Sequence, residues 1–152
     1  MSRMPRPRRA GNRAAGFSLV ELIIVVAVLG ILGAIVVPHF SNASSKSRES
    51  ALQVDLKSMR TQIGLYIAQH KGDPPSLASF EDQMTMASNA AGGTAAPNTP
   101  GFPFGPYMAE IPKNPFTNTN TVTNGAVETS AWYYDQNNGD FHANDSEASR
   151  AF

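Results

Sequence analysis

Between Phe17 and Val37 the chain carries one charge, Glu21, and one hydroxyl, Ser18, in an otherwise apolar run. As a helix this run spans about 31 Å at roughly 1.5 Å per residue, against a hydrocarbon core of about 30 Å. The pattern predicts a membrane-crossing helix. Pro38 closes the run, and two readings of it stand: a helix stop, or a kink within a longer helix. Beyond it, Leu52, Leu56, Met59, Ile63, Tyr66 and His70 recur at alternating spacings of four and three. That is a single apolar stripe, with Lys46, Arg48, Glu49, Asp55, Lys57 and Arg60 on other faces, so Ser41 to His70 reads as a continuing helix. Lys71-Gly72 and Asp73-Pro74-Pro75 end it.

After this stop the pattern shortens. "SLASFEDQMTMA" (Ser76 to Ala87) predicts a short helix opened by a capping-box-like serine. "NAAGGTAAPNTPG" (Asn89 to Gly101) reads as a surface loop of low complexity. In "GPYMAEIPKNPF" (Gly105 to Phe116), Tyr107 and Ile111 are candidate core residues, while Pro106, Pro112 and Pro115 forbid a regular central strand. "AWYYDQNNGDFHAN" (Ala131 to Asn144) predicts a β-hairpin about Asn137-Asn138-Gly139, with Trp132 and Tyr134 sharing a face of one strand and Phe141 and Ala143 a face of the other. The expected fold class is α+β: a long N-terminal helix, partly transmembrane, with a small antiparallel β-sheet head packed on its C-terminal half. The expected divisions are a basic leader over 1–16, a transmembrane or filament-core helix over 17–37, its continuation over 38–71, and a globular head over 72–152.

Charge sharpens the picture. The chain has twelve basic and twelve acidic residues, but Arg3, Arg6, Arg8, Arg9 and Arg13 all precede the apolar run. Positive charge there holds a segment on the cytoplasmic side. The remainder is acidic, which excludes a nucleic-acid footprint. There are no cysteines, so a disulfide framework and a cysteine-ligated metal are excluded. His39, His70 and His142 have no nucleophile or partner arranged about them in sequence, and no phosphate loop or zinc-helix motif occurs, so the chain reads as a non-enzyme.

Glu21 poses the chemical question. An acid at a bilayer centre costs about 2.5–3.5 kcal/mol on insertion scales, and less near the interface. Cutting the chain after Gly16 would supply a partner: the new ammonium of Phe17, four residues away on the same helix face. Pairing between neighbouring chains would neutralise both charges and fix the axial register of packed helices, the best-attested use of a buried ion pair. The competing reading is an ordinary secretory signal peptide with a small-residue cleavage site at Ser41–Ala43, releasing a soluble periplasmic binding protein. Against it, the apolar run exceeds the usual h-region of about 7–15 residues. Gly16 allows close backbone approach by a protease. Gly30 and Ala34 form a small-xxx-small pair, or are plain apolar filler.

The stretch "GFSLVELIIVVAVLGILGAIVVP" resembles the N-terminal signature of type IV pilins and type II secretion pseudopilins, with Gly16, Phe17 and Glu21 matching position by position. The resemblance implies the pilin fold, with cleavage between Gly16 and Phe17 and N-methylation of Phe17 by a membrane prepilin peptidase. It also implies assembly as a homo-oligomeric filament, with other pseudopilins and an inner-membrane assembly platform as partners. Gly30 and Pro38 match positions bounding a segment that loses helical order in such filaments. Before assembly the subunit would lie in the inner membrane among lipid, N-terminus cytoplasmic and head periplasmic. "GPYMAEIPKNPF" resembles, more loosely, a stretch of the major secretion-type pseudopilins. That favours a secretion pseudopilin over a surface pilin for adhesion, motility or DNA uptake. The resemblance raises calcium in the C-terminal part of the head, with Asp135, Asp140 and Asp145 as candidate ligands and Asn137, Gly139 and Glu147 nearby. The alternative there is a plain hairpin and tail, since the twelve-residue calcium-loop pattern is absent.

Overall fold

The computed structural model describes residues 16–152 and, for residues 37–42, the backbone alone. The leader expected over 1–16 therefore lies outside the described residues except for Gly16. Helix α1 spans Leu19–Gln69 and continues through Pro38. The chain divides into two compact units, the first ending at Asn42 and the second covering Ala43–Phe152.

In the second unit, the stripe read from the sequence is the buried face of α1. Leu52, Leu56, Met59, Ile63, Tyr66 and His70 are all 2% exposed or less. Alternating steps of three and four keep these side chains on one side of a 3.6-residue helix, and the head covers them. Gly72 N–H reaches back to the Ile67 carbonyl at 2.9 Å. Lys71 takes the left-handed conformation at φ 61°, which makes this a Schellman-type stop.

A 3₁₀ turn over Leu77–Ser79 leads into α2, Phe80–Thr85. The expected serine cap is not made, because the Ser76 side chain caps no helical amide. Gln83 acts there instead: its Oε1 accepts the Ser76 N–H at 2.8 Å and its Nε2 donates to the Gly92 carbonyl at 2.8 Å. The helix is also shorter than expected. Ala87 belongs to strand β1 (Ala87–Ser88), which pairs antiparallel with β2 (Thr94–Ala95) inside the stretch read as a surface loop.

The main sheet has three strands in the order β3–β4–β5: Val122–Thr123, Trp132–Asp135 and Asp140–Ala143. The β4–β5 hairpin is antiparallel in the expected register, with Tyr134 opposite Phe141 and Trp132 opposite Ala143. The hairpin is the expected antiparallel core of the head, and β3 adds to it as a further strand, joining β4 in parallel. The inward residues Trp132, Tyr134, Phe141 and Ala143 are fully buried and pack with Phe80, Met84, Tyr107 and Ile111 against the α1 stripe. Period-two alternation places these four on one face, which is why the hairpin was readable. Of the three turn residues, only Gly139 takes positive φ, at 77°. A Cβ there would lie 2.8 Å from Ile67 Cδ1, so the hairpin tip rests directly on α1. Arg60 of α1 reaches the opposite strand edge, where its Nε donates to the Phe141 carbonyl at 2.9 Å and its Nη1 to the Phe152 carbonyl at 2.8 Å.

Candidate functional site

The first unit is built around an unburied helix. From Leu19 to Val36 it is long and apolar enough to cross a membrane. Its large apolar side chains, among them Leu19, Leu22, Ile23, Ile24, Leu29 and Ile31, are 45–74% exposed. At roughly 1 kcal/mol for each half-exposed Val, Leu or Ile, the face would gain on the order of 10 kcal/mol on leaving water. Lipid or the same face of neighbouring helices can supply that gain.

The helix begins immediately after the expected processing junction. Ser18 is its N-cap: Ser18 Oγ accepts the Glu21 N–H at 3.2 Å. Glu21 is thus the third helical residue, and Ser18-Leu19-Val20-Glu21 has the S-x-x-E spacing of a capping box. The sequence reading missed this role for Ser18, although the spacing carries it. Glu21 consequently lies in the first turn, where the helix dipole favours a carboxylate. Phe17 is 78% exposed. Gly16, Gly30 and Gly33 have open space where a Cβ would stand, so helix or protease backbone can approach at each. Pro38 lies among the residues whose side chains are not described.

In the head, the three aspartates raised for calcium are separated. Asp135 and Asp140 face each other across the open end of the hairpin loop. Asp145 follows the far end of β5, roughly 15 Å along an extended strand from Asp140. Asp135 Oδ1 is occupied within the turn, accepting from Asn137 N–H at 2.9 Å and Asn137 Nδ2 at 2.8 Å. Asp140 pairs with His142 Nε2 at 2.9 Å. Asp145 accepts from Asn114 Nδ2 at 2.7 Å and Ser149 Oγ at 2.8 Å. Among the described residues, no three His, Asp or Glu side chains converge as a metal-holding group. His70, read as a packing residue, is buried and stacks on Tyr66 at 3.7 Å. Its Nδ1–H donates to the Tyr66 carbonyl at 2.8 Å, leaving Nε2 to accept from Ser88 Oγ at 3.2 Å.

Residues 11–37 match the family described as the prokaryotic N-terminal methylation motif. The chain is 32% identical over 87 residues to a type IV narrow pilus major component of Thermus thermophilus, an alignment covering 57% of this chain and 75% of the relative. The chain belongs to the type IV pilin-like family. This pilin-like chain is also 31% identical over 87 residues to fimbrial protein Q of Moraxella bovis, covering 57% of its own length and 55% of the relative. It is 24% identical over 105 residues to the type II secretion system core protein G of Klebsiella pneumoniae, covering 69% of its own length and 71% of the relative. It thus spans little more than half of the Moraxella protein. No solved structure matches it.

Proposed function

We propose that this pilin-like chain is a structural, non-catalytic subunit of a periplasmic pseudopilus of a type II protein secretion system. Prepilin peptidase would cut between Gly16 and Phe17 and methylate the Phe17 amine. The subunit would wait in the inner membrane, head in the periplasm, until an assembly platform drew it into a filament with copies of itself and other pseudopilins. The observation carrying this reading is the junction itself: an open Gly16–Phe17 bond, a Ser18 cap, and Glu21 at the third position of a helix whose apolar side chains are bare. On this reading, each Glu21 meets the ammonium of a neighbouring protomer's Phe17, and the pair sets the helix register. The match to core protein G favours secretion, because it extends over 69% of the chain, against 57% for the Moraxella and Thermus pilins. A type IV pilus pilin is the second reading, favoured by the higher identity of those two matches.

Intact mass of the protein taken from membranes tests the processing step. The expected start is N-methylated Phe17; a start at Ser44 would instead point to a released binding protein. In cells, Glu21→Val should leave processing intact while filament incorporation fails. Normal assembly of that variant would refute the register role.

A further inference from the structure

The head raises a question about what closes its C-terminal segment. Asn114 is fully buried, and its amide has a defined orientation. Its Oδ1 accepts the Phe116 N–H at 2.8 Å, while Nδ2 donates to the Ala131 carbonyl at 3.0 Å and to Asp145 Oδ1 at 2.7 Å. Turning the amide over would set oxygen against two acceptors and nitrogen against a donor, so the hydrogen bonds fix which end faces Asp145. The main chain of Asn114 is held as well: its N–H donates to the Thr119 carbonyl at 2.9 Å, and its carbonyl accepts from Asn118 N–H at 2.8 Å. On the other oxygen of Asp145, Ser149 Oγ donates at 2.8 Å and Ser146 Oγ lies at 3.4 Å.

A calcium ion takes six to eight oxygen ligands at about 2.3–2.6 Å. Asp145 instead faces an amide nitrogen and hydroxyl donors, while Asp135 and Asp140 lie at the other end of β5. The donor set does not fit the cation that the resemblance raises. We propose that Asn114 and Asp145 form a metal-free clasp, in which the buried amide supplies the positive edge that a divalent cation would otherwise bring to the carboxylate. The clasp joins three segments: the loop after Pro112, the start of β4 through Ala131, and the tail from Asp145 to Ser149. The Trp132 indole N–H, donating to the Pro112 carbonyl at 2.8 Å, fastens the same loop from the other side. The inference does not rest on the secretion reading, since it concerns how the head closes in either kind of filament.

One substitution makes the idea testable. Asn114→Asp replaces the donor with a second carboxylate beside Asp145 and the Ala131 carbonyl, an all-oxygen set whose Asp145 member lines a groove with Glu49, Phe116, Thr117, Ser146 and Ser149. Thermal unfolding of the full chain in detergent is followed through Trp132, the single tryptophan. The unaltered chain should give the same Tm in EGTA and in millimolar calcium. Asn114→Asp should melt several degrees lower in EGTA and regain much of the loss with calcium, whereas Asn114→Ala should be lowered equally in both. Terbium luminescence excited through Trp132 gives a second readout on folded protein. Saturable emission is expected from Asn114→Asp and none from the unaltered chain. A calcium-raised Tm or saturable terbium emission in the unaltered chain would overturn the proposal, as would an unchanged Tm for Asn114→Asp in EGTA.

Discussion

Gly139 is where a single methyl group tests how the hairpin is seated. Its φ of 77° lies in the left-handed region, where an L-residue costs about 1–2 kcal/mol. A Cβ would also stand 2.8 Å from Ile67 Cδ1 and 3.5 Å from Ile63 Cγ2. The Ile67 methyl ends a flexible side chain, so it can swing away for about 0.5–1.5 kcal/mol of rotamer strain. Alanine also reduces the freedom of the unfolded chain, which offsets about 0.4–1 kcal/mol. Gly139→Ala should therefore destabilise the head by about 0.5–3 kcal/mol. Urea unfolding followed by Trp132 fluorescence would report it, because that indole is fully buried in the native head. The contact and backbone contributions separate in a double-mutant cycle with Ile67→Val, which removes the clashing carbon. The double variant should recover about 0.5–1.5 kcal/mol relative to additivity. A Gly139→Ala variant as stable as the parent would show that the tip is not pressed on α1, and zero coupling to Ile67 would place the whole cost in the backbone.

Two further outcomes follow from ionisable groups that are buried or half-buried. Burial first, then the charges of Tyr107 and Asp73, push the Tyr66 phenol from 10.0 up to about 12. Burial likewise raises Tyr107 and Tyr134. The folded state thus favours neutral phenols, so their contribution is complete below pH 10 and declines as pH rises towards 12. Urea midpoints should fall across that interval and fall less steeply for Tyr66→Phe; a flat profile would contradict the burial. Burial also raises the Asp55 carboxyl above its usual value, so its ionised form opposes folding at neutral pH and its protonated form does not. Asp55→Asn should accordingly raise the urea midpoint at pH 7 and lose that advantage well below pH 4; a lower midpoint at pH 7 would mean that Asp55 has a favourable partner.

Much of the head was legible because two periodicities were clean. The α1 stripe from Leu52 to His70 and the alternation Trp132, Tyr134, Phe141, Ala143 each report a single buried face. The two-residue strands were not legible. β1, β2 and β3 are too short for alternation to register, and β3 is brought beside β4 by long-range contacts, including Trp132 N–H donating to the Thr121 carbonyl at 3.0 Å. Ser76 looked like a helix cap, but its hydroxyl caps no helical amide, and Gln83, seven residues on, accepts the N–H of Ser76 itself. At the N-terminus, Gly16, Phe17 and Glu21 stood out by chemical type, whereas Ser18 passed as the lone hydroxyl in an apolar run. Asn114 was invisible for a different reason: an asparagine among prolines reads as turn chemistry, and only the folded chain brings it to Asp145, 31 positions away.

Arg60 has a consequence for how such molecules associate. The outward carbonyl of Phe141 belongs to the terminal strand of a three-stranded sheet, the kind of border along which strange chains add strand by strand. A guanidinium anchored on α1 already occupies that carbonyl and ties the Phe152 carbonyl beside it. That one position on the border is therefore taken from within the subunit. A strand arriving at that carbonyl would have to displace Arg60 before it could pair.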